Sequence, residues 1–98
     1  MNYLVIEHFR DGDPVPVYER FRARGRLMPG GLEYVSSWIT EDLSRCYQVM
    51  ATPDPRLLDD WMARWADLME FEVFPVVSSA EVQARLTRRL GPDAQPSA

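Results

Sequence analysis

Seven apolar side chains, Leu57, Leu58, Trp61, Met62, Trp65, Leu68 and Met69, recur at three- and four-residue spacing through PDPRLLDDWMARWADLM. That period places them along one side of an α-helix and turns Asp59, Asp60, Arg64 and Asp67 to water. A helix with one dry side needs a surface to lie on, so the rest of the chain must supply a second layer.

Four short runs are suited to that layer. Residues 2–9 (around YLVIEHF), LEYVSSWI at 32–39, RCYQVMAT at 45–52 and EFEVFPVV at 70–77 are rich in aromatic and aliphatic residues. Turn-forming stretches such as RDGD at 10–13 and MPGG at 28–31 separate them, which predicts strands. The short TEDLS link predicts an antiparallel hairpin between the second and third, and Pro75 suits the fourth to an edge or a bulge. Asp13 and Pro14 start a helix over 14–24, with Pro14, Tyr18 and Phe21 along one side and Gly25 as its stop. Ser79 is the expected cap of a last helix over 80–90, whose Arg85, Arg88 and Arg89 complement its C-terminus before Gly91.

Strand, helix, strand, strand, helix, strand is the βαββαβ order of a ferredoxin-like α+β domain, here with an extra C-terminal helix. The expectation is a four-stranded antiparallel sheet with helices on one face. At 98 residues the chain has room for one core: residues 1–90 form a single domain, and GPDAQPSA at 91–98 a flexible C-terminal tail.

Composition excludes several functions. All 11 basic residues are arginine, against 15 acids. Without lysine there is neither a Schiff base nor a phosphate-loop lysine, and no broad basic face exists for nucleic acid. The single Cys46 cannot form an internal disulfide, the first residues lack the pattern of a signal peptide, and no apolar stretch is long enough to span a membrane. A cytoplasmic location is expected. No metal-ligand spacing and no nucleophile elbow is present, and no cofactor is implied.

Side chains alternate across a strand, so the strands sort into two layers. Leu4, Ile6, Tyr47, Val49, Phe71 and Val73 form an apolar set expected beneath the helices. Tyr3, Val5, Glu7, Phe9, Cys46, Gln48, Met50, Glu72 and Phe74 form a mixed set, expected to be bare in one chain and covered by a second copy around a partly polar interior. Parity also sends the adjacent Glu7 and His8 to opposite faces.

The candidate pocket residues are Glu7, Gln48 and Trp38, joined by His8 and Glu72. Glu7 is singled out because an apolar cavity raises a carboxyl group toward the range useful for proton transfer, and His8 because imidazole titrates near neutrality. The competing role for Glu7 is a structural pairing with an arginine across the dimer. Trp61 and Trp65 are expected in the core, Cys46 as an inert thiol, and Arg20 and Arg24 on a solvated helix face.

Through VIEHFRDGD, GLEYVSSWI, RCYQVMATPDPRLLDDWMARWADLMEFEVFPV and SSAE, the chain resembles a small bacterial family of uncharacterised domains in the dimeric α/β-barrel superfamily, over residues 1–84. The resemblance implies a homodimer forming an α/β barrel. Wider relatives include cofactor-independent monooxygenases of antibiotic biosynthesis, haem-degrading enzymes and muconolactone-isomerase-like proteins. In the first two branches the pocket carries an Asn on the first strand, a Trp on the third and a His on the second long helix. This chain has Met50 in the third strand, Trp61 on the helix and Asn2 as its one Asn, so that constellation is not reproduced. The resemblance gives a fold and not a reaction; it is the partly polar interior that carries the expectation of a small, partly aromatic ligand, acted on by proton transfer or cofactor-free oxidation. The alternative is a non-catalytic structural or regulatory homodimer with a filled interior.

Overall fold

Residues 1–90 are described by the computed structural model, in which the βαββαβ order is realised with the added helix. The elements are β1 (Asn2–Phe9), a 3-10 turn (Arg10–Gly12), α1 (Val15–Arg24), β2 (Glu33–Ile39), β3 (Arg45–Ala51), α2 (Arg56–Ala63), β4 (Met69–Val76) and α3 (Ser79–Leu90). The strands form one antiparallel sheet in the order β2-β3-β1-β4, with β1 and β3 in the centre. This is the ferredoxin-like arrangement, in which two crossovers lay α1 and α2 on the same face. Pro75 falls on the edge strand β4, where a missing ladder donor costs least. The expected tail at 91–98 lies outside the described residues.

Local chemistry explains the ends of the helices. Asp13 Oδ1 accepts the Val15 N–H at 3.0 Å, and Pro14 precedes the first turn of α1. Gly25 ends it with φ 70, its N–H bonding Phe21 O at 2.7 Å. At α3 the capping oxygen belongs to Ser78, which accepts the Glu81 N–H at 3.1 Å, and Ser79 is the first helical residue rather than the expected cap.

The apolar period of residues 57–69 outlasts its α-helix. Beyond Ala63 the N–H groups of Arg64, Trp65 and Leu68 turn to carbonyls three residues back, at 3.1, 3.0 and 2.9 Å. This tighter winding keeps Trp65 under the helix layer while delivering Met69 to its place opposite Phe9 in the β1–β4 ladder. Three-residue spacing serves both windings, so the sequence pattern carries no mark of the change.

The register corrects the assignment of faces. Val5 pairs Val73 and Gln48, Glu7 pairs Phe71 and Cys46, and Phe9 pairs Met69. This layer also holds Met50 and lies beneath the helices, where Val5 and Met50 are fully buried. The other layer, Leu4, Ile6 and His8 with Tyr47, Val49, Glu72 and Phe74, is the one left uncovered. Alternation had separated β1 and β3 correctly but reversed which side the helices take, and it joined β4 to them one residue out of phase. In β4 aromatic and aliphatic residues occupy both parities, so only the ladder decides.

Trp61 and Trp65, each 3% exposed, complete the core with Leu58 and Met69. Each ring removes on the order of 200 Å² from water, a large share of a thin core. Gly31, at φ 91, brings the start of β2 close to α2. A Cβ there would meet Leu57 Cδ1 at 2.9 Å.

Candidate functional site

Glu7 interrupts the covered layer with a carboxyl group. β1 alternates it with Val5 and Phe9, so the strand carries it under the helices, where it is 7% exposed. Cys46 faces it across the β1–β3 ladder, and Gln48, two residues further along β3, is 3% exposed. A cavity of about 160 Å³ opens between sheet and helices at this point. Its walls are Glu7, Ser37, Cys46 and Gln48 from the strands, Tyr18 and Phe21 from α1, and the two tryptophans from the α2 segment.

Arg26 completes the wall from the α1–β2 connection. The left-handed residues Gly25 (φ 70) and Leu27 (φ 59) flank it and turn the chain back over the sheet. The Arg26 carbonyl accepts both indole N–H groups, from Trp61 at 2.9 Å and from Trp65 at 3.0 Å. One oxygen with two lone pairs thereby satisfies two buried donors. Arg64 Nη1 donates to the next carbonyl, Leu27 O, at 2.6 Å. With its backbone held in this way, Arg26 lays its guanidinium 3.6 Å from the centroid of Tyr34 and 5.2 Å from that of Phe21. It also donates from Nη1 to Gln48 Oε1 at 3.2 Å. Because arginine only donates, this bond fixes the orientation of the amide: its oxygen faces Arg26, and its NH2 is left with two donors for the cavity.

Arg20 pins α1 to the winding that follows α2. It donates to Asp67 Oδ1 at 2.7 Å and to Arg64 O at 3.0 Å, with its guanidinium 5.5 Å from the centroid of Trp65. The helical roof is therefore fixed at the same place where Trp65 holds Arg26.

Burial pushes the Glu7 carboxyl above its ordinary range, a rise that a hydrogen bond from the Cys46 thiol and the positive charge of Arg26 only partly offset. Among the described residues no ion pair joins Glu7 to Arg26, although both line the cavity. Cys46 is pushed up to about 12, first by burial and then by the charge and hydrogen bond of Glu7. It therefore stays a thiol at neutral pH and is a poor nucleophile. Burial also raises the Tyr18 phenol, with Cys46 and Glu7 adding to the shift. The cavity thus joins a carboxyl group held above its ordinary range to a guanidinium and an amide that both donate.

Of the residues singled out from sequence, Glu7 and Gln48 meet here. Trp38, His8 and Glu72 do not: all three belong to the uncovered face of the sheet. Trp38 pairs with Tyr47 and is 77% exposed. His8 Nε2 lies 2.9 Å from Glu72 Oε2 in an exposed ion pair on the same face, so Glu7 and His8 are indeed separated by the sheet. The expectation of one pocket containing all five fails because parity divides them. Arg26 was missed. It lies beyond the helix stop, where side-chain period has no meaning, and the only sign of it is an arginine directly after Gly25.

Among the described residues no group of three or more His, Cys, Asp or Glu side chains is placed to hold a metal ion. No helix among them is long and apolar enough to cross a membrane.

A family model described as "Domain of unknown function (DUF3303)" matches residues 1–90. A crystal structure of a structural-genomics target protein from Agrobacterium tumefaciens is similar at 16% identity, over 81% of this chain and 96% of that one, with a TM-score of 0.46. No curated protein matches.

Proposed function

The chain belongs to the DUF3303 family, a domain of unknown function, and from that premise we propose that it is a small-molecule-binding domain whose site is the Glu7 cavity. The observation that carries this reading is a buried carboxyl group opening on about 160 Å³ of space beside an arginine with which it forms no ion pair. The Cys46 thiol, a weak donor, is the hydrogen-bond partner the protein gives this carboxyl, which leaves further hydrogen-bonding capacity for a ligand in the cavity. The volume suits a single ring: an apolar cavity of roughly 150 Å³ holds benzene. Glu7 is the group placed to move a proton, giving it to a bound ligand as the acid and taking one back as the carboxylate.

The domain acts as a homodimer through the uncovered face. Leu4, Ile6, Tyr47, Val49, Trp38 and Phe74 form an apolar patch there, with Trp38 77% and Phe74 49% exposed. Across the same face the register sets Arg45 on β3, His8 on β1 and Glu70 on β4 in one row. Basic and acidic ends of a row match each other under a two-fold axis, which favours a second copy as the occupant.

Phenol is the direct probe of the cavity. A crystal grown with it is expected to place its ring against Trp61 and Phe21 with its hydroxyl toward Glu7, and the melting temperature is expected to rise with phenol concentration. A melting temperature unchanged up to millimolar phenol, with the cavity closed in the crystal, would refute binding. A light-scattering mass of one chain at micromolar concentration would refute the dimer.

A further inference from the structure

We infer that the cavity selects small organic monoanions, ring-sized carboxylates or enolates, with Arg26 and Gln48 gripping the anionic oxygens. This rests on the cavity reading above and deepens it by naming the ligand class.

The side chains at this site leave donors unspent. Gln48 spends its oxygen on Arg26 at 3.2 Å, so toward the cavity it can only donate. Arg26 makes that one side-chain hydrogen bond among the described residues, and its remaining N–H groups have no protein acceptor. Burial raises the Glu7 carboxyl and holds Cys46 as a thiol whose proton goes to Glu7. Arg26 and Gln48 therefore both present hydrogen to this space, and the one permanent charge there is positive. A cation meets that charge. A carboxylate or enolate finds a planar fork suited to two oxygens, held in place by two indoles on the Arg26 carbonyl and by stacking on Tyr34. Trp61 and Trp65 are thus positioning residues as well as core.

The ionisable groups facing Glu7 are Cys46 from β3, Tyr18 from α1 and Arg26 from the connection, while β4, α2 and the winding after it contribute Met69, Trp61 and Trp65, which do not titrate. An anion bound beside Glu7 repels its carboxylate form, so affinity falls as pH rises through the raised Glu7 pKa.

The test compares benzoate with its neutral isostere benzamide by calorimetry from pH 5 to pH 8, and uses cyclohexane-1,3-dione, a ring-sized enolate over the upper part of that range, to separate carboxylate from enolate preference. Benzoate is expected to bind at least about tenfold more tightly than benzamide, the gain of one charge-assisted hydrogen bond. Arg26→Gln is expected to reduce that ratio to about twofold or less, and Glu7→Gln to remove the fall in affinity with rising pH. Equal binding of benzoate and benzamide by the wild type overturns anion selection and leaves the cavity reading standing. Absence of binding by both, and by phenol, overturns the two together. Should Arg26→Gln fail to fold, Arg26→Lys serves instead: retaining the charge but losing the fork, it is expected to lower the benzoate preference, and an unchanged preference would remove Arg26 from the account.

Discussion

The two faces of this sheet carry each other's expected residues. Beneath the helices, where hydrocarbon is the rule, lie Glu7 and Gln48, 7% and 3% exposed. On the uncovered face, where polar residues are the rule, lie Leu4, Ile6, Tyr47 and Val49 beside a Trp38 that is 77% exposed. Both departures cost free energy in an isolated chain, the first by desolvating polar groups and the second by leaving apolar surface in water. In the function proposed here each is relieved by something other than this chain's own packing: a ligand in the cavity on one side, a second copy on the other. A face of such a sheet is therefore to be assigned by what covers it and not by how apolar it is.

The largest test of that contrast sets one tryptophan against another. Trp61→Ala on the covered face is expected to cost about 3–5 kcal/mol in urea unfolding, because it removes core area and one donor to the Arg26 carbonyl. Trp38→Ala is expected to change the stability of the monomer by no more than about 0.5 kcal/mol. Comparable losses would dissolve the distinction between the faces.

Next in size is the self-association of the uncovered face. Trp38→Glu is expected to weaken the dimer by about 2 kcal/mol or more, roughly thirtyfold in its dissociation constant, with an unchanged circular dichroism spectrum. Sedimentation equilibrium reads the constant. A variant that dimerises as well as the wild type would assign the patch some other partner.

The smallest effect belongs to Glu7→Gln and depends on pH. Folding raises the Glu7 pKa, so the folded state holds its proton more tightly than the unfolded one. The stability tied to that proton is fully present below the unfolded carboxyl range and is lost as pH rises through the raised value. Glutamine has no proton to lose, so the variant's stability relative to wild type should grow from acid toward neutral pH and then level off. Asp42, Asp54 and Asp67, whose pKa values are lowered by hydrogen bonds from Ser44, Arg56 and Arg20, titrate alike in both proteins and cancel in the difference. A difference curve that is flat with pH would place the Glu7 carboxyl in a water-like setting.

Elements were far more legible in the sequence than layers. The strand at 2–9 and the core role of Trp61 and Trp65 follow from run length and spacing, and both stand as expected. Separation of Glu7 from His8 needed parity alone. Placing Glu72 and Trp38 needed the registers of β1 with β4 and of β2 with β3, which parity within one strand cannot supply: Ile6, not Glu7, is the partner of Glu72, and Trp38 pairs with Tyr47. Glu7 and Gln48 were reachable because a carboxyl and an amide inside apolar strands are conspicuous. Arg26 was not, since its position comes from two left-handed residues and from two indole donors contributed by a helix some 35 residues away.

The chain's three tryptophans put the central claim to one measurement, because two of them border the cavity and one lies on the uncovered face. In a nitrogen–proton correlation spectrum, adding benzoate should move the indole N–H signals of Trp61 and Trp65 and leave that of Trp38 in place, whereas dilution should move Trp38 alone. If benzoate and phenol shift none of them, or if the ligand moves Trp38 while the other two stay still, the division of labour between the two faces is wrong.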